Sequence, residues 1–372
     1  MSRPASGTGF FWHERCFWHD QGAIGVFSEP GWFMQPQPAS ESPESKRRLK
    51  NLLEISGLID ELEVRKPAPA SREDLLTFHT PEYLDRLEAG DQLGRGNAGE
   101  AAPFTRGSLA AAQQSAGLAV AAVEAVLRGE LRNAYALCRP PGHHAEADRG
   151  RGFCLLGNIP IAVNRARQLG LLERVAILDW DVHHGNGQQD AFYTDPQVLT
   201  ISIHQAANYP LESGGFEEQG DGAGLGCNLN LPMPPGSGIG AYDYAMEKLI
   251  LPAIEAFAPE LIIVACGYDA CAKDPLGKMM LNSEAFGRMT QQVQAVADRC
   301  CQGRLVMTHE GGYSEGYVPF CGHAVIAALA DSDIQATDPQ NEEIAAWGYQ
   351  SLQPHQQALI DGWVEAFFKQ RY

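Results

Sequence analysis

Several kinds of residue pattern are missing from this chain, and each absence narrows what it can be. Positive charge is scarce: 28 Lys and Arg stand against 46 Asp and Glu, for a net charge of −18. Holding a nucleic-acid backbone needs basic patches, so direct nucleic-acid binding is not expected. An acidic surface suits a soluble enzyme and weakly favours cationic substrates by steering. Nine cysteines are present, an odd number, with no C-x-x-C pair. That fits reduced thiols in a cytoplasm better than a disulfide framework, and the adjacent Cys300 and Cys301 read as packing residues at a helix end. The opening MSRPASGTGFFWHERCFWHD has no long apolar stretch after its arginine, so no signal peptide is expected. No apolar run reaches the ~18 residues that span a bilayer, so no membrane partner is expected. There is no internal repeat and no linker that would separate two domains. With 44% apolar residues available for a core, one α/β domain over 1–372 is the expectation, ending in a helical segment 331–372.

What is present is a repeated layout: apolar strand, polar loop, helix. Ala134–Cys138 leads into RPPGHH, Val175–Leu178 into DWDVHHGNG, Val198–Ile203 into HQAANYP, Leu261–Cys266 into GYDACAKDP, and Leu305–Thr308 into HEGGY. Helices are expected at Gly107–Gly129, Ile159–Leu169, Ala241–Phe257 and Ser283–Cys301. Strands alternating with helices imply a parallel sheet covered on both faces, and runs such as LIIVA suit strands buried on both sides. Ligands of open α/β sheets bind beyond the carboxyl ends of the strands, and here every unusual polar cluster follows a strand. Two stretches, 27–48 and 90–103, read as long loops. Such loops are usually functional or interface-forming. Trp32, Phe33 and Met34 make the first an oligomer contact or an active-site lid, with a homo-oligomer, dimer or tetramer, favoured.

In LDWDVHHGNG, Asp179, Asp181 and His183 alternate, so in an extended segment they share one face while Trp180, Val182 and His184 share the other. A carboxylate and an imidazole two residues apart can reach one cation, which selects His183 over His184. Asp269, after another strand, is the candidate third ligand. One His and two carboxylates with an open position suit a catalytic zinc site. The competing reading is a satisfied polar network at strand ends. In RPPGHH, two prolines and Gly142 fix a turn that can present His143 and His144 to a cavity. Histidine takes and returns a proton near neutral pH, and Asp179 and Asn186 are free to orient such a base. Tyr313, after paired glycines, can donate a hydrogen bond to a developing oxyanion. Phe153 and Tyr209 can wall a narrow channel for an aliphatic chain.

PPGHHA, GFC, LDWDVHHGNG, GYDA with DPLG, and EGGY, in this order, resemble the zinc-dependent histone deacetylase family, and within it the class II-like bacterial histone deacetylase-like amidohydrolases. The resemblance runs over roughly residues 10–330. It implies a single domain related to arginase, with an eight-stranded parallel sheet and helices on both faces. It places zinc on Asp181, His183 and Asp269, makes His144 the general base and then the acid for the leaving amine, and has His143 assist. Asp179 would stand behind His143 and Asn186 behind His144, with Tyr313 on the oxyanion. It lines the acyl-lysine channel with Gly152, Phe153 and Tyr209, the last commonly Phe in the family. Glu100 would be the acid at the rim, and Leu276 stands where a polyamine-selective relative has an acid. It further implies two structural potassium ions. The first would use Asp179, Ser202 and the main-chain oxygens of Asp181, His183 and Ile203; the second, main-chain oxygens of Phe192, Asp195 and Val198.

The reaction expected is hydrolysis of an acetyl or other short acyl group from an Nε-acyl-lysine or related acylated amine, in the cytoplasm. Three alternatives stand beside it: an acetylpolyamine amidohydrolase, an arginase-like dimanganese hydrolase, and an inactive acyl-lysine binding protein.

Overall fold

The computed structural model describes residues 7–23, 31 and 33–369. Its centre is one eight-stranded sheet, numbered here β1 (Thr8–Phe11), β2 (Glu63–Arg65), β3 (Asn133–Ala136), β4 (Val175–Asp179), β5 (Val198–Gln205), β6 (Asn228–Met233), β7 (Leu261–Cys266) and β8 (Leu305–His309). All neighbours pair in parallel, in the order β6-β5-β4-β7-β8-β3-β1-β2. The central β4, β7 and β8 are fully buried, as runs of Val, Ile, Leu and Ala require of strands covered on both faces.

The order carries a consequence for function. From β4 the chain moves outward to β5 and β6, then crosses back to β7 and moves the other way to β8. The reversal opens a crevice between the carboxyl ends of β4 and β7, where open parallel sheets take their ligands. Asp181 lies two residues beyond β4 and Asp269 three beyond β7.

The five strands and four helices read from the sequence lie where expected, within about two residues at each end. Helix Ser283–Cys301 keeps both expected limits because Asn282 caps it, its side chain accepting from Ala285 N–H, and Gln302 ends it in the left-handed region. Cys301 at its end is buried, and the cysteines are free thiols. Four details differ. The loop 27–48 ends early, because Glu44–Lys50 already belongs to helix Glu44–Ser56; residues 27–30 and Trp32 lie outside the described residues. The loop 90–103 begins inside helix Pro81–Leu93 and continues as the short strands Arg95–Asn97 and Gly99–Glu100. The helix expected over 241–257 is interrupted by a π turn at Met246–Ile250, just before Pro252, which cannot donate to the turn behind it. Finally, helix Ser108–Leu127 is long and apolar enough to cross a membrane by length and composition, although no run of that kind was expected. Two-thirds of it is buried, and its Leu118, Ala119, Ala122 and Val126 belong to the main core.

The sheet core also takes in the C-terminal helix Pro354–Lys369 through Ile360, Trp363 and Phe367. Trp363 stacks on Phe216 with ring centroids 5.7 Å apart.

Candidate metal and acid–base site

Beyond the switch point, Asp181, His183 and Asp269 are buried, and one ligand atom from each lies within 4.8 Å of the others. His183 Nδ1 is 3.0 Å from Asp181 Oδ1 and 3.1 Å from Asp269 Oδ2. The backbone holds both carboxylates in place. Val182 N–H donates to Asp269 Oδ1 at 2.7 Å, and Gly311 N–H to Asp181 Oδ2 at 2.8 Å. A Cβ at Gly311 would meet Asp269 Oδ2 at 2.2 Å and Asp181 Oδ2 at 2.5 Å, so only glycine lets β8's loop close on the pair.

Charge at this cluster is unbalanced. Burial pushes Asp269 up to about 7, with the Asp181 charge adding to it. Burial opposes charge on His183, but its hydrogen bonds to Asp181 and Asp269 and their charges raise it to about 10. Two buried carboxylates facing one imidazole fit a divalent cation. This donor set, mixed nitrogen and oxygen without thiolate, is the type seen in open catalytic zinc sites.

The second loop, after β3, places two imidazoles against this cluster. The His143 and His144 rings lie 3.9 Å apart. Glu310, buried behind the loop, accepts from Gly142 N–H at 2.6 Å and His143 N–H at 3.1 Å. His143 Nδ1 meets Asp179 Oδ2 at 3.0 Å. Burial works against its charge, yet Asp181 and Asp179 lift it to about 10. His144 differs. Burial, then the neighbouring His143 and His183, lowers it well below the ordinary value, which favours the neutral imidazole. Its Nδ1 lies 2.8 Å from Asn186 Oδ1, while Asn186 Nδ2 donates to Glu146 Oε1 at 3.1 Å and to His144 O at 3.3 Å. The amide oxygen thus faces His144, which assigns the ring proton to Nδ1 and leaves Nε2 with a free lone pair.

Aromatic rings enclose the cluster. Tyr209 packs 5.1 Å from His144 and 6.3 Å from His183. Phe153 meets Tyr313 edge-on at 5.7 Å, and Tyr313 lies 6.4 Å from His183. Between the walls, a Cβ at Gly152 would strike His144 Cδ2 at 2.3 Å and Tyr209 at 2.9 Å. Tyr313 N–H donates to Asp274 Oδ2 at 2.7 Å. Burial and the carboxylates Asp269 and Asp181 raise its phenol well above the usual value, which keeps it protonated as a donor.

The remaining sequence candidates are placed as follows. Glu100 pairs with Arg151 at 2.5 Å, one residue from Gly152, and Glu212 joins the same guanidinium. Leu276 is half-buried beside Asn208, whose Nδ2 donates to its carbonyl at 3.3 Å. Asp179, the last residue of β4, is the register neighbour of Ser202 within β5, with Ile203 next along β5. The Phe192 and Asp195 carbonyls already accept from Asp195 N–H at 3.0 Å and Val198 N–H at 3.4 Å. His184 turns away, with Nδ1 2.9 Å from Ser213 Oγ and Nε2 3.1 Å from Gln189 Oε1. Sequence reasoning missed Glu310 and Asp274, which hold the histidine loop and Tyr313 from behind. Both lie inside quoted motifs, HEGGY and KDPLG, and an acid beside paired glycines or a Pro was the available signal.

Fold and site together define an α/β protein whose buried histidine pair and candidate cation-binding cluster share one crevice between β4 and β7. A family model, the histone deacetylase domain, matches residues 39–329. The chain is 49% identical over 340 residues to a histone deacetylase-like amidohydrolase of Pseudomonas aeruginosa, covering 91% of this chain and 90% of that one. It is 37% identical to a probable deacetylase of Archaeoglobus fulgidus, covering 90% and 89%. Among solved structures, the HD domain of HDA15 superposes with a TM-score of 0.81 at 28% identity, covering 98% of each chain. This chain belongs to the histone deacetylase family, a family of hydrolytic deacetylases.

Proposed function

We propose that the chain is a zinc-dependent amidohydrolase that removes acetyl or other short acyl groups from Nε-acyl-lysine or a related acylated amine. The observation that carries this is the pairing of His144, its Nδ1 committed to Asn186, with a three-donor cluster on Asp181, His183 and Asp269. A cation held there would polarise the acyl carbonyl and make water a better nucleophile. The chain's own groups supply the rest. His144 Nε2 takes the proton of the attacking water and returns it to the amine nitrogen as the C–N bond breaks. His143, held by Asp179, stays charged and balances negative charge at the reacting carbon. Tyr313 donates its O–H to the carbonyl oxygen as charge builds there. Phe153, Tyr209 and Gly152 form a narrow apolar passage for the methylene chain, with Glu100 at its rim. Acetate and the free amine leave.

The same reading puts structural potassium at Asp179, Ser202 and the carbonyls of Asp181, His183 and Ile203, and at the carbonyls of Phe192, Asp195 and Val198. It also puts the protein in the cytoplasm as a homo-oligomer. Turnover of a fluorogenic acetyl-lysine peptide, measured with metal content before and after chelation, tests it. One zinc per chain and loss of activity on its removal are expected. Activity that persists without metal, or two manganese ions per chain, would overturn it. A substrate panel of acetyl-lysine peptides, acetylpolyamines and longer acyl groups then ranks substrates by kcat/KM.

A further inference from the structure

Lys46 lies in helix Glu44–Ser56 and is fully buried. Its Nζ donates to Glu41 Oε1 at 3.3 Å. The same oxygen accepts from Arg139 Nε at 3.0 Å. Arg139, also buried, donates onward to the carbonyls of Cys16 at 3.1 Å, His19 at 2.9 Å and Glu41 at 3.3 Å. One carboxylate therefore serves two buried cations, and Arg139 alone would neutralise it. Pairing does not explain the lysine, since taking an ammonium out of water is costly and an apolar side chain of like volume would avoid that cost.

The geometry supplies another reason. Lys46 Nζ lies 5.8 Å from the centroid of the Tyr313 ring, within the range of a cation–π contact. Phe153 meets the same ring at 5.7 Å with the planes at 70°. Asp274 fixes the backbone of Tyr313 but not its ring. Arg139 is the residue before Pro140 in the loop that carries His143 and His144. The network thus joins the tyrosine ring to the histidine loop through three side chains, Lys46, Glu41 and Arg139.

We infer that Lys46 is a positioning residue for the reaction: its ammonium holds the Tyr313 ring so that the phenol faces the acyl oxygen, and Glu41 and Arg139 tie that ring to the histidine loop. The inference rests on the reading of Tyr313 as the oxyanion donor. Lys46→Met tests it, because it keeps the length of the side chain and leaves Glu41 paired with Arg139. Lys46→Gln is a second neutral replacement that can still donate to Glu41, should the first not fold.

The experiment measures kcat and KM on the acetyl-lysine peptide, bound metal and thermal midpoint for both variants, alone and combined with Tyr313→Phe. The expected result is a fall in kcat of about 10–100-fold, with KM within about threefold and metal content unchanged. In the Tyr313→Phe background the same change should cost less than about threefold, since no hydroxyl remains to be aimed. Lys46→Arg, which keeps the cation, should recover part of the loss. A folded, metal-loaded neutral variant with kcat within threefold of the parent overturns the inference, as does an equal loss in both backgrounds. Tyr313→Phe with parental kcat by itself overturns the underlying reading of Tyr313, and the role of Lys46 with it.

Discussion

The chain holds two His-His dipeptides on neighbouring loops, and they are used differently. In 143–144 both rings face the crevice, 3.9 Å apart, one held by Asp179 and one by Asn186. In 183–184 the pair splits: His183 turns to Asp181 and Asp269, while His184 turns to Ser213 and Gln189. The difference comes from the backbone. The first pair sits in a turn whose N–H groups are gathered by Glu310, so both side chains project to one side. The second lies at a bend beyond β4, where Val182 N–H is taken by Asp269 and His183 N–H by Asp181, and the two rings diverge. Identical dipeptides thus acquire four distinct environments, and residue type alone does not assign a role.

Substitutions can break this comparison. The largest effect is expected for Asp181→Ala or His183→Ala, each of which should lose the bound metal, measured per chain by elemental analysis, with turnover falling to background. Retention of one metal per chain in both variants would dissolve the donor cluster as proposed. Next comes Tyr313→Phe, expected to lower kcat by about 10²–10³ with little change in KM, the usual scale for one oxyanion donor. His184→Ala should have the smallest effect on chemistry. It removes the partner of Ser213 Oγ and one of the contacts of Gln189, which keeps Glu218, Asn228 and Asn230, so thermal or denaturant unfolding should register a loss of about 1–3 kcal/mol, with kcat within about threefold of the parent. A large fall in kcat with unchanged stability would instead bring His184 into the reaction.

Much of this arrangement was legible in the sequence. Strands β4, β5, β7 and β8 are long apolar runs ending in polar loops, and those patterns set both the sheet and the rim. The split of His183 from His184 that alternation suggested is present although β4 stops at Asp179 and residues 181–183 form a bend, so the contacts of that bend produce it rather than strand geometry. Other elements carried no such signal. Strand β2 is three residues, Glu63–Arg65, on an edge, and β6 is interrupted by asparagines and Pro232, so neither has a plain hydrophobic pattern. The π turn depends on the register of Pro252 within a long helix. Lys46 sits in ESPESKRR, within the stretch read as the long loop 27–48; only packing of Glu44–Ser56 against the core makes it buried. Sequence motifs revealed the groups that face the crevice. The groups behind them make tertiary contacts: Glu310 and Asp274 left only the mark of an acid beside paired glycines or a proline, and Glu41 and Lys46 left none.

The most direct test of the division between metal-holding and proton-transferring groups is to measure zinc content and turnover together in His144→Ala. One zinc per chain, as in the parent, is expected, with kcat reduced by about 10²–10⁴, the contribution of a positioned acid–base group. Near-parental turnover, or loss of the metal along with the activity, would contradict it.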